Sequence, residues 1–271
     1  MIPRRHCRTG VYTMSGQNGN NENNENNEKK KRALVTGSSR GIGRAIAVSL
    51  AKDGYEVIVH CAGNRQKAEK TKKIIEAGGG SASILQADLC EPDQAVRLSK
   101  EMGEVDALVL NASLQIRRPW CEITVEECRK QMTCNFVASM LLIQAAVPHM
   151  KQQKWGRIVT IGSVQEAKPH PDMLIYSASK AAQTNMVQSL ALQLAADGIT
   201  VNNVAPGVIY TDRNVEALSD PEYAGKVTAS IPVGFYGTPQ DCAGMVSLLC
   251  SQEGRYITGQ SIFVDGGKSI Q

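Results

Sequence analysis

The chain has 271 residues, of which 42% are hydrophobic and only 4% aromatic. This length suits a large α/β domain with an aliphatic core, as where helices pack on a parallel sheet. The formal net charge is +4, and residues 1–32 alone carry that excess, so the rest of the chain is nearly neutral. A neutral body argues against a nucleic-acid-binding protein, which needs a concentrated basic surface.

The N-terminal segment differs in composition from the rest. Residues 17–28 are mostly Asn, Gly and Glu, and so few apolar side chains cannot offset the entropy lost on ordering. We therefore expect residues 1–30 to be a disordered Asn-rich extension and residues 31–271 to be one folded domain. The sequence contains no run of roughly 20 apolar residues and no signal-like apolar segment. We expect no membrane partner and a cytoplasmic location.

Eight cysteines occur in the chain, and none forms a C-x-x-C pair. Most stand in apolar stretches, which is typical of reduced, buried thiols rather than of disulfides in a chain of this length. The sequence therefore predicts no disulfide framework and no metal site.

From residue 33 onwards, short apolar runs alternate with amphipathic stretches, which predicts strands alternating with helices. The predicted strands cover residues 33–35, 56–60, 83–86, 107–110, 157–161, 199–204 and 261–264. The predicted helices cover residues 41–52, 65–77, 93–102, 124–150, 174–196 and 239–250. About seven strands in this alternation predict a single-domain Rossmann-type, doubly wound parallel sheet with helices on both faces.

The turn after the first predicted strand reads Thr36-Gly37-Ser38-Ser39-Arg40-Gly41-Ile42-Gly43. Gly37 permits a tight turn, Gly41 lets the backbone approach a pyrophosphate, and Gly43 lets the helix pack closely. The helix N-terminus that follows offers N–H groups and the positive end of a dipole to phosphate. The spacing G-x-x-x-G-x-G differs from G-x-G-x-x-G, and a purely structural turn is the alternative interpretation.

The end of the second strand favours NADP(H), with NAD(H) possible. A carboxylate there binds the ribose 2′-OH and repels a 2′-phosphate, but residues 60–65 contain none. Arg40 and Arg65 could both reach a 2′-phosphate, unless they are only solvated. After the third strand, Asp88 and Leu89 are placed to edge the adenine, although Asp88 could equally cap a turn.

Tyr176 and Lys180 form the only Tyr-x-x-x-Lys in the chain. On a helix these side chains share a face, and a lysine charge beside a phenol favours phenolate. Tyr176 could then act as general acid in reduction or base in oxidation. Ser163 follows a strand at the edge where such sheets bind ligands, and its hydroxyl could hold the substrate oxygen. Capping a turn is the alternative role for Ser163.

Asn135 stands inside the predicted helix 124–150, where asparagine is a mediocre helix former. A side chain or water inserted there could disturb the helix and free a carbonyl. That carbonyl could hold a water next to Lys180 and relay protons. For this residue alone, a purely structural role is equally compatible with the sequence.

These residues resemble the short-chain dehydrogenases/reductases over residues 31–271. Asn135, Ser163, Tyr176 and Lys180 are similar to that family's catalytic tetrad, and the glycine turn is similar to its T-G-x-x-x-G-x-G motif. One departure is the family's Asn-Asn-Ala-Gly, which reads Leu110-Asn111-Ala112-Ser113 here. The resemblance implies a homotetramer or homodimer formed through the long helices.

The resemblance also implies that the segment after the sixth strand lies beside the nicotinamide, where the Ile209 backbone and the Thr211 hydroxyl would hold the carboxamide. The cofactor-binding residues that we predict follow strands one to four and six or lie on the Tyr–Lys helix. They are Thr36, Gly37, Ser39, Arg40, Gly41, Ile42, Gly43, Cys61, Arg65, Asp88, Leu89, Asn111, Ala112, Tyr176, Lys180, Pro206, Gly207, Ile209 and Thr211.

The predicted substrate walls are residues 115–120, 164–173 and 211–237, the last a long insertion that could act as a mobile lid. Their polar side chains suit a small hydroxylated substrate such as a sugar or polyol, with Ser163, Gln165 and Tyr176 as its contacts. The polar side chains of these walls are Gln115, Arg117, Gln165, Glu166, Lys168, His170 and Asn214. Many of them could instead simply face water.

Two other functions compete. The first is a 3-oxoacyl-carrier-protein reductase, whose acidic carrier would need a basic patch at the pocket mouth. Asp197, expected close to that patch, argues against it. The second is a catalytically silent nucleotide-binding scaffold, which the intact tetrad disfavours.

Overall fold

The computed structural model describes residues 30–212 and 214–271. Seven strands form one sheet in the order β3-β2-β1-β4-β5-β6-β7, and every neighbouring pair is parallel. The strands are β1 Arg32–Val35, β2 Glu56–Cys61, β3 Ser81–Gln86, β4 Ala107–Leu110, β5 Gly156–Ile161, β6 Ile199–Pro206 and β7 Ser261–Val264. The predicted doubly wound parallel sheet is confirmed. Of the predicted extension, residues 1–29 lie outside the described residues.

The helices connect the strands and agree closely with the predicted pattern. They are α1 Gly41–Lys52, α2 Arg65–Ala77, α3 Pro92–Glu101, α4 Val125–Met132, α5 Ala138–Gln153, α6 Leu174–Leu194, α7 Val215–Leu218, α8 Pro221–Ala229 and α9 Pro239–Cys250. Gly198, with a φ of 73°, ends the α6 region in a left-handed conformation. The 211–237 insertion holds α7 and α8, which the sequence pattern did not predict.

Two hydrophobic cores cover the two faces of the sheet. On one face, Leu34, Leu108 and Ile158 pack with residues of α3, α5 and α6. On the other, Val35 and Val109 pack with residues of α1, α2 and α9. Because both faces are covered, the middle strand β4 is apolar and buried throughout, as expected for a parallel sheet.

The predicted helix 124–150 is interrupted at its middle. Residues Thr133–Val137 form a turn of π-helix between α4 and α5. Such a turn adds one residue to the helical repeat and is frequently found at functional sites. The disturbance predicted at Asn135 is therefore present, and Asn135 lies inside this turn.

The same helical region is the described part of the chain most similar to a membrane span. By length and composition alone, Val125–Gln153 is long and apolar enough to cross a membrane. Its most apolar window has a mean hydropathy of 1.2. That window is 44% buried within the protein, and the core helices of soluble proteins have the same properties. The segment is weak support for a membrane span.

Candidate active site

A cleft of about 830 Å³ opens at the carboxyl ends of the strands. It lies where the strand order reverses, since β1 pairs with β2 on one side and with β4 on the other. In open α/β sheets ligands bind at this switch point, because loops leaving neighbouring strands diverge there. The fold thus brings the glycine turn, Ser163 and Tyr176 to one cleft.

The glycine turn is shaped by close approach as well as by backbone conformation. Gly37 and Gly41 have positive φ values of 63° and 56°, which side chains other than glycine rarely adopt. A Cβ on Gly43 would lie 2.5 Å from the carbonyl oxygen of Gly37 and from Nδ2 of Asn111. The close packing predicted for Gly43 is therefore present.

The N-terminus of α1 is open towards the cleft. Arg40 occupies the N-cap position without a side-chain capping hydrogen bond, and the first turn contains no acidic residue. The first N–H groups of a helix need an outside acceptor, and the helix dipole favours an anionic one. Gly41, Ile42 and Gly43 line the cleft here, so the turn fits a pyrophosphate.

Side chains that directly follow β1 and β4 hold the glycine turn in place. Thr36 Oγ1 accepts hydrogen bonds from the N–H groups of Asn111, at 2.9 Å, and Ala112, at 3.0 Å. Asn111 Nδ2 donates to the carbonyl oxygens of Thr36 and Gly37, at 2.9 and 3.1 Å. Thr36 is buried and lies outside the cleft wall. Its predicted direct contact with cofactor is replaced by this supporting role.

His60 supports the same turn and was missed by the sequence analysis. Its Nδ1 accepts a hydrogen bond from the N–H of Gly37 at 3.0 Å, and Nε2 lies 3.0 Å from the carbonyl oxygen of Ala87. Burial lowers the pKa of His60 to about 4, so the ring is neutral at pH 7. The donor on Nε2 and the acceptor on Nδ1 then match both partners.

Tyr176 and Lys180 lie one turn apart on α6, and both are buried. The ammonium nitrogen of Lys180 is 5.7 Å from the centre of the Tyr176 ring. Tyr176 and Ser163 both line the cleft. Ser163 also caps the turn that follows β5, because its Oγ accepts from the N–H of Gln165 at 3.2 Å. The capping role considered for Ser163 is therefore present, and its role toward a substrate oxygen stays a prediction.

A chain of hydrogen bonds joins Lys180 to Asn135 through two buried side chains. Lys180 Nζ donates to Oε1 of Gln183 at 2.9 Å and to the carbonyl oxygen of Ile161 at 2.7 Å. Gln183 Nε2 donates to Ser139 Oγ at 3.1 Å, and this hydroxyl donates to the carbonyl oxygen of Asn135 at 3.1 Å. The Asn135 carbonyl of the π-turn is thus linked to Lys180 by side chains. Gln183 and Ser139 were not singled out from the sequence.

The side chain of Asn135 serves a second purpose. Its amide bonds both main-chain groups of Leu114, with Oδ1 accepting at 2.8 Å and Nδ2 donating at 2.9 Å. Nδ2 also donates to Ser179 Oγ at 2.9 Å. Asn135 therefore ties the loop after β4 to the helix that carries Tyr176.

Comparisons with known proteins agree with this geometry. The model of the family described as enoyl-(acyl carrier protein) reductase matches residues 37–269. The chain belongs to the short-chain dehydrogenase/reductase family. The family resemblance predicted from the motifs is confirmed, and the chain is an NAD(P)-dependent oxidoreductase of that family.

Individual short-chain dehydrogenases/reductases resemble the chain over most of its length. A 3-oxoacyl-[acyl-carrier-protein] reductase of Staphylococcus aureus is 39% identical over 241 residues, which are 88% of this chain and 97% of the relative. The structure of a 3-oxoacyl (acyl-carrier-protein) reductase from Agrobacterium tumefaciens with NADP bound has a TM-score of 0.84 at 37% identity, covering 87% of this chain and 93% of that one. A Beutenbergia cavernae structure, provisionally named an NAD(P)-dependent gluconate 5-dehydrogenase, has a TM-score of 0.85 at 34% identity, covering 89% and 97%.

Most of the predicted cofactor residues line the cleft of this short-chain dehydrogenase/reductase. These are Gly37, Ser39, Arg40, Gly41, Ile42, Gly43, Cys61, Asp88, Leu89, Asn111, Ala112, Tyr176, Pro206, Gly207, Ile209 and Thr211. Lys180 is buried behind Tyr176 and is absent from the cleft wall in the described residues. A Cβ on Gly41 would lie 3.5 Å from Thr211 Cγ2, so the glycine turn and the segment after β6 meet at the cleft.

The two arginines predicted to select NADP(H) differ in position. Arg40 lines the cleft, and its guanidinium lies 3.9 Å from the carboxylate of Asp212. Arg65 instead points along α2 and pairs with Glu69 at 3.5 Å. The prediction that Arg65 faces the cofactor does not agree with this placement, because the start of α2 turns its side chain along the helix surface.

Most polar residues of the predicted substrate walls lie at the cleft, and their contact with a substrate stays a prediction. Gln115, Arg117, Lys168, His170 and Asn214 line the cleft. Gln165 also lines it, but its amide is engaged with Ser177 Oγ at 3.1 Å and Met173 Sδ at 3.2 Å. Glu166 is not in the cleft wall in the described residues; its carboxylate accepts from the Asn203 amide at 3.0 Å and from Ser261 Oγ. It therefore supports the loop from behind.

The sequence analysis missed Lys268, which reaches the cleft from the segment after β7. It also missed Cys90 and Cys134, which line the cofactor side. The described cysteines are all free thiols, and four of them, Cys61, Cys134, Cys242 and Cys250, are buried. Cys121 is exposed, so the prediction of buried thiols holds for only part of the set.

Proposed function

We propose that this enzyme uses NADP(H) to interconvert a carbonyl and a secondary alcohol, with Tyr176 as the acid/base. The observation that carries the proposal is one cleft lined by the glycine turn, Ser163 and Tyr176. When bound, the nicotinamide supplies or accepts the hydride. Every other step falls to side chains of this chain.

Tyr176 transfers the proton. In reduction its hydroxyl donates a proton to the developing alkoxide oxygen, and in oxidation the phenolate takes the alcohol proton. The Lys180 ammonium, 5.7 Å from the ring centre, favours the phenolate over the neutral phenol. The Ser163 hydroxyl orients the substrate oxygen toward Tyr176. This fixed orientation lowers the entropic part of the reaction barrier.

NADP(H) is the cofactor that the cleft favours. The uncapped start of α1 fits a pyrophosphate, and Arg40 beside it is the cation available to a 2′-phosphate. No carboxylate occurs in residues 60–65, at the end of β2, where one would repel that phosphate. The Agrobacterium and Beutenbergia structures contain NADP, in agreement with this preference.

A small hydroxylated molecule, such as a sugar or polyol derivative, is the substrate that the walls support. Gln115, His170 and Asn214 place amide and imidazole groups along this end of the cleft, and such groups bind hydroxyls. The structural similarity to the protein provisionally named gluconate 5-dehydrogenase is a second support.

A 3-oxoacyl-carrier-protein reductase is the second candidate, favoured by the 39% identity to the Staphylococcus enzyme. The argument from Asp197 against it does not hold. Asp197 precedes β6 and pairs with Lys151 and Lys154, at the strand edge opposite the cleft. A carrier-loaded 3-oxoacyl thioester reduced with a KM far below that of free sugars would establish this second candidate.

The proposed reaction can be tested with Tyr176→Phe. This variant keeps the ring and loses only the hydroxyl that carries the proton, so kcat should fall by about a thousandfold while NADPH fluorescence titration gives an unchanged Kd. Tyr236→Phe is the matched control, since Tyr236 stacks on Tyr210 outside the cleft. Near-normal kcat in Tyr176→Phe would remove Tyr176 from the mechanism.

We also propose a homodimer or homotetramer in the cytoplasm. A surface groove of about 600 Å³ runs between α5 and α6 and includes Met140, Ile143 and Leu190. A second copy of the same helices is a natural partner for this apolar face. Light scattering of the full chain should give a multiple of 29.2 kDa, and Met140→Glu should lower it.

A further inference from the structure

A row of polar side chains crosses three neighbouring strands of the sheet. Thr160, Asn203 and Ser261 are neighbours in the register of β5, β6 and β7. Thr160 Oγ1 donates to Asn203 Oδ1 at 2.6 Å, and Asn203 Nδ2 donates to Ser261 Oγ at 2.8 Å. Thr160 and Asn203 are fully buried. Because buried polar groups are costly unless they are paired, such a row has to be satisfied as a unit.

The row ends at Glu166, three residues after Ser163. The Glu166 carboxylate accepts from the Asn203 amide at 3.0 Å and from Ser261 Oγ. It also accepts from the N–H of Ser163 at 3.3 Å, and the N–H of Glu166 donates to the carbonyl oxygen of Ser163 at 2.9 Å. Hydrogen bonds to a carboxylate are stronger than those between neutral groups. Glu166 therefore joins both main-chain groups of Ser163 to β6 and β7.

Gly162 provides the space for this carboxylate. A Cβ on Gly162 would overlap an oxygen of the Glu166 carboxylate and the side-chain amide of Asn203. The backbone of Gly162 lies outside the left-handed region, so close approach rather than conformation requires glycine here. The end of the strand that leads to Ser163 is thus shaped to accept the Glu166 side chain.

These contacts determine where the Ser163 hydroxyl lies. Its Oγ accepts from the N–H of Gln165 at 3.2 Å, while Glu166 holds the Ser163 main chain. The hydroxyl hydrogen can then donate to a substrate oxygen. Rates depend steeply on such placement, because a shift of about 1 Å in a group that orients the substrate can cost on the order of a hundredfold.

We propose that Glu166 is a positioning residue, which holds Ser163 at the end of β5 so that the Ser163 hydroxyl meets the substrate oxygen. The inference rests on the proposed function and adds to it a residue that does not touch the substrate. Glu166 is outside the cleft wall in the part of the chain that the structure describes. Its effect on the reaction therefore passes through Ser163.

The proposal is tested by combining Glu166→Met with Ser163→Ala in the full-length enzyme. The assay is oxidation of NADPH with 5-keto-D-gluconate or acetoacetyl-coenzyme A, which represent the two candidate substrate classes. With Ser163 present, Glu166→Met should lower kcat about tenfold and leave the KM for NADPH within about twofold. In Ser163→Ala the same substitution should change kcat by less than about twofold, because the group that Glu166 positions is missing.

A merely structural role gives a different result. If Glu166→Met disturbed the whole cleft, kcat would fall by the same factor with and without the Ser163 hydroxyl, and this outcome overturns the proposal. An unchanged kcat in Glu166→Met also overturns it. Glu76→Met is the control, because Glu76 pairs with Lys72 on α2.

A milder variant covers the case in which Glu166→Met does not fold. Glu166→Gln keeps one acceptor oxygen, so kcat should fall only about threefold. This loss should again occur only where the Ser163 hydroxyl is present. Equal losses in both backgrounds, or no loss in either, overturn the proposal as before.

Hydrogen exchange separates the proposal from the reaction. Because the Ser163 N–H donates to Glu166, Glu166→Met should speed exchange about tenfold in peptides covering residues 162–167. Residues 36–43, in the glycine turn, should exchange as in wild type. If neither probe is reduced, this result supports the positioning of Ser163 although the assigned reaction fails. Unchanged exchange over residues 162–167, or faster exchange in both segments, overturns the proposal.

Discussion

The two ends of the cleft are built differently. The cofactor end is formed by main chain that buried side chains hold at fixed distances, as Thr36, Asn111 and His60 hold the glycine turn. The substrate end is formed by the side chains themselves, many of them exposed, such as Arg117 and Lys168. The hydrogen bonds that shape the cofactor end therefore also stabilise the fold, whereas the substrate end consists of side chains that project from it.

This difference has a physical consequence. Substitutions at the cofactor end should reduce stability together with cofactor binding, because the same hydrogen bonds serve both. Substitutions at the substrate end should change selectivity and leave the free energy of unfolding nearly unchanged, as expected of exposed positions. Paired measurements of stability and binding test whether the two ends are separate in this way.

The largest combined effect on stability and cofactor binding is expected from Gly43→Ala. The added Cβ would lie 2.5 Å from the Gly37 carbonyl oxygen and Asn111 Nδ2, so the free energy of unfolding should fall by about 2 kcal/mol. NADPH affinity should fall about a hundredfold, because a shift of α1 displaces the phosphate-binding N–H groups. Urea unfolding and fluorescence titration measure the two quantities.

Gly244→Ala is the matched control for that substitution. Gly244 lies in α9, and a Cβ added to it would meet no other atom within 4 Å, so alanine should stabilise the helix by up to about 1 kcal/mol. If Gly43→Ala weakened NADPH binding without lowering stability, the claim that the same contacts stabilise the fold and shape the cofactor end would be contradicted.

His60 should make the cofactor end sensitive to acid. Its pKa is about 4 in the folded protein against an ordinary value of 6.5. Above pH 6.5, His60 is neutral in both the folded and the unfolded protein. Between pH 6.5 and pH 4 only the unfolded protein binds a proton at His60, so the free energy of unfolding falls as the pH falls. The expected loss is about 3 kcal/mol.

His60→Asn isolates this contribution, because asparagine can accept from Gly37 but does not titrate. Other groups also titrate in this range, so the quantity to measure is the difference in unfolding free energy between wild type and variant. The unfolding free energy of wild type minus that of His60→Asn should decrease by about 3 kcal/mol when the pH is lowered from 7 to 4. A difference independent of pH would show that His60 is not neutral and buried in solution.

Gln183→Met should lower kcat about tenfold with little change in KM, because Lys180 loses an acceptor for its charge. The rising limb of the pH profile for oxidation should move to higher pH, since a less stabilised ammonium favours phenolate less. Gln193→Met on the exposed face of the same helix is the control. A fall in kcat with an unshifted pH profile would mean that Gln183 has only a packing role.

The smallest effect is expected from Arg40→Ala. NADPH affinity should fall on the order of fivefold with NADH affinity unchanged, since an exposed ion pair contributes up to about 1 kcal/mol. Arg65→Ala is the control, because Arg65 pairs with Glu69 instead of facing the cleft. If both substitutions changed the ratio of NADPH affinity to NADH affinity equally, Arg65 would reach the 2′-phosphate as the sequence predicts.

The same contrast explains what could be predicted from the sequence. The strands, the helices other than α7 and α8, and the glycine turn were predictable because each depends on local periodicity or on a residue type that the backbone requires. Gln183 and Lys268 were not, because their roles depend on which distant segments they meet. Gln183 meets Ser139 of α5, and Lys268 meets Ser230 after α8. Arg65 is a different case, because its pairing with Glu69 is a local contact along the same helix.

The most direct test is a crystal structure of the enzyme with NADP⁺. We expect the 2′-phosphate beside Arg40, the pyrophosphate at the start of α1, and C4 of the nicotinamide within about 4 Å of a substrate carbon held by the Tyr176 and Ser163 hydroxyls. A nicotinamide ring bound away from Tyr176, or a cleft that does not admit the dinucleotide, would contradict the proposed reaction.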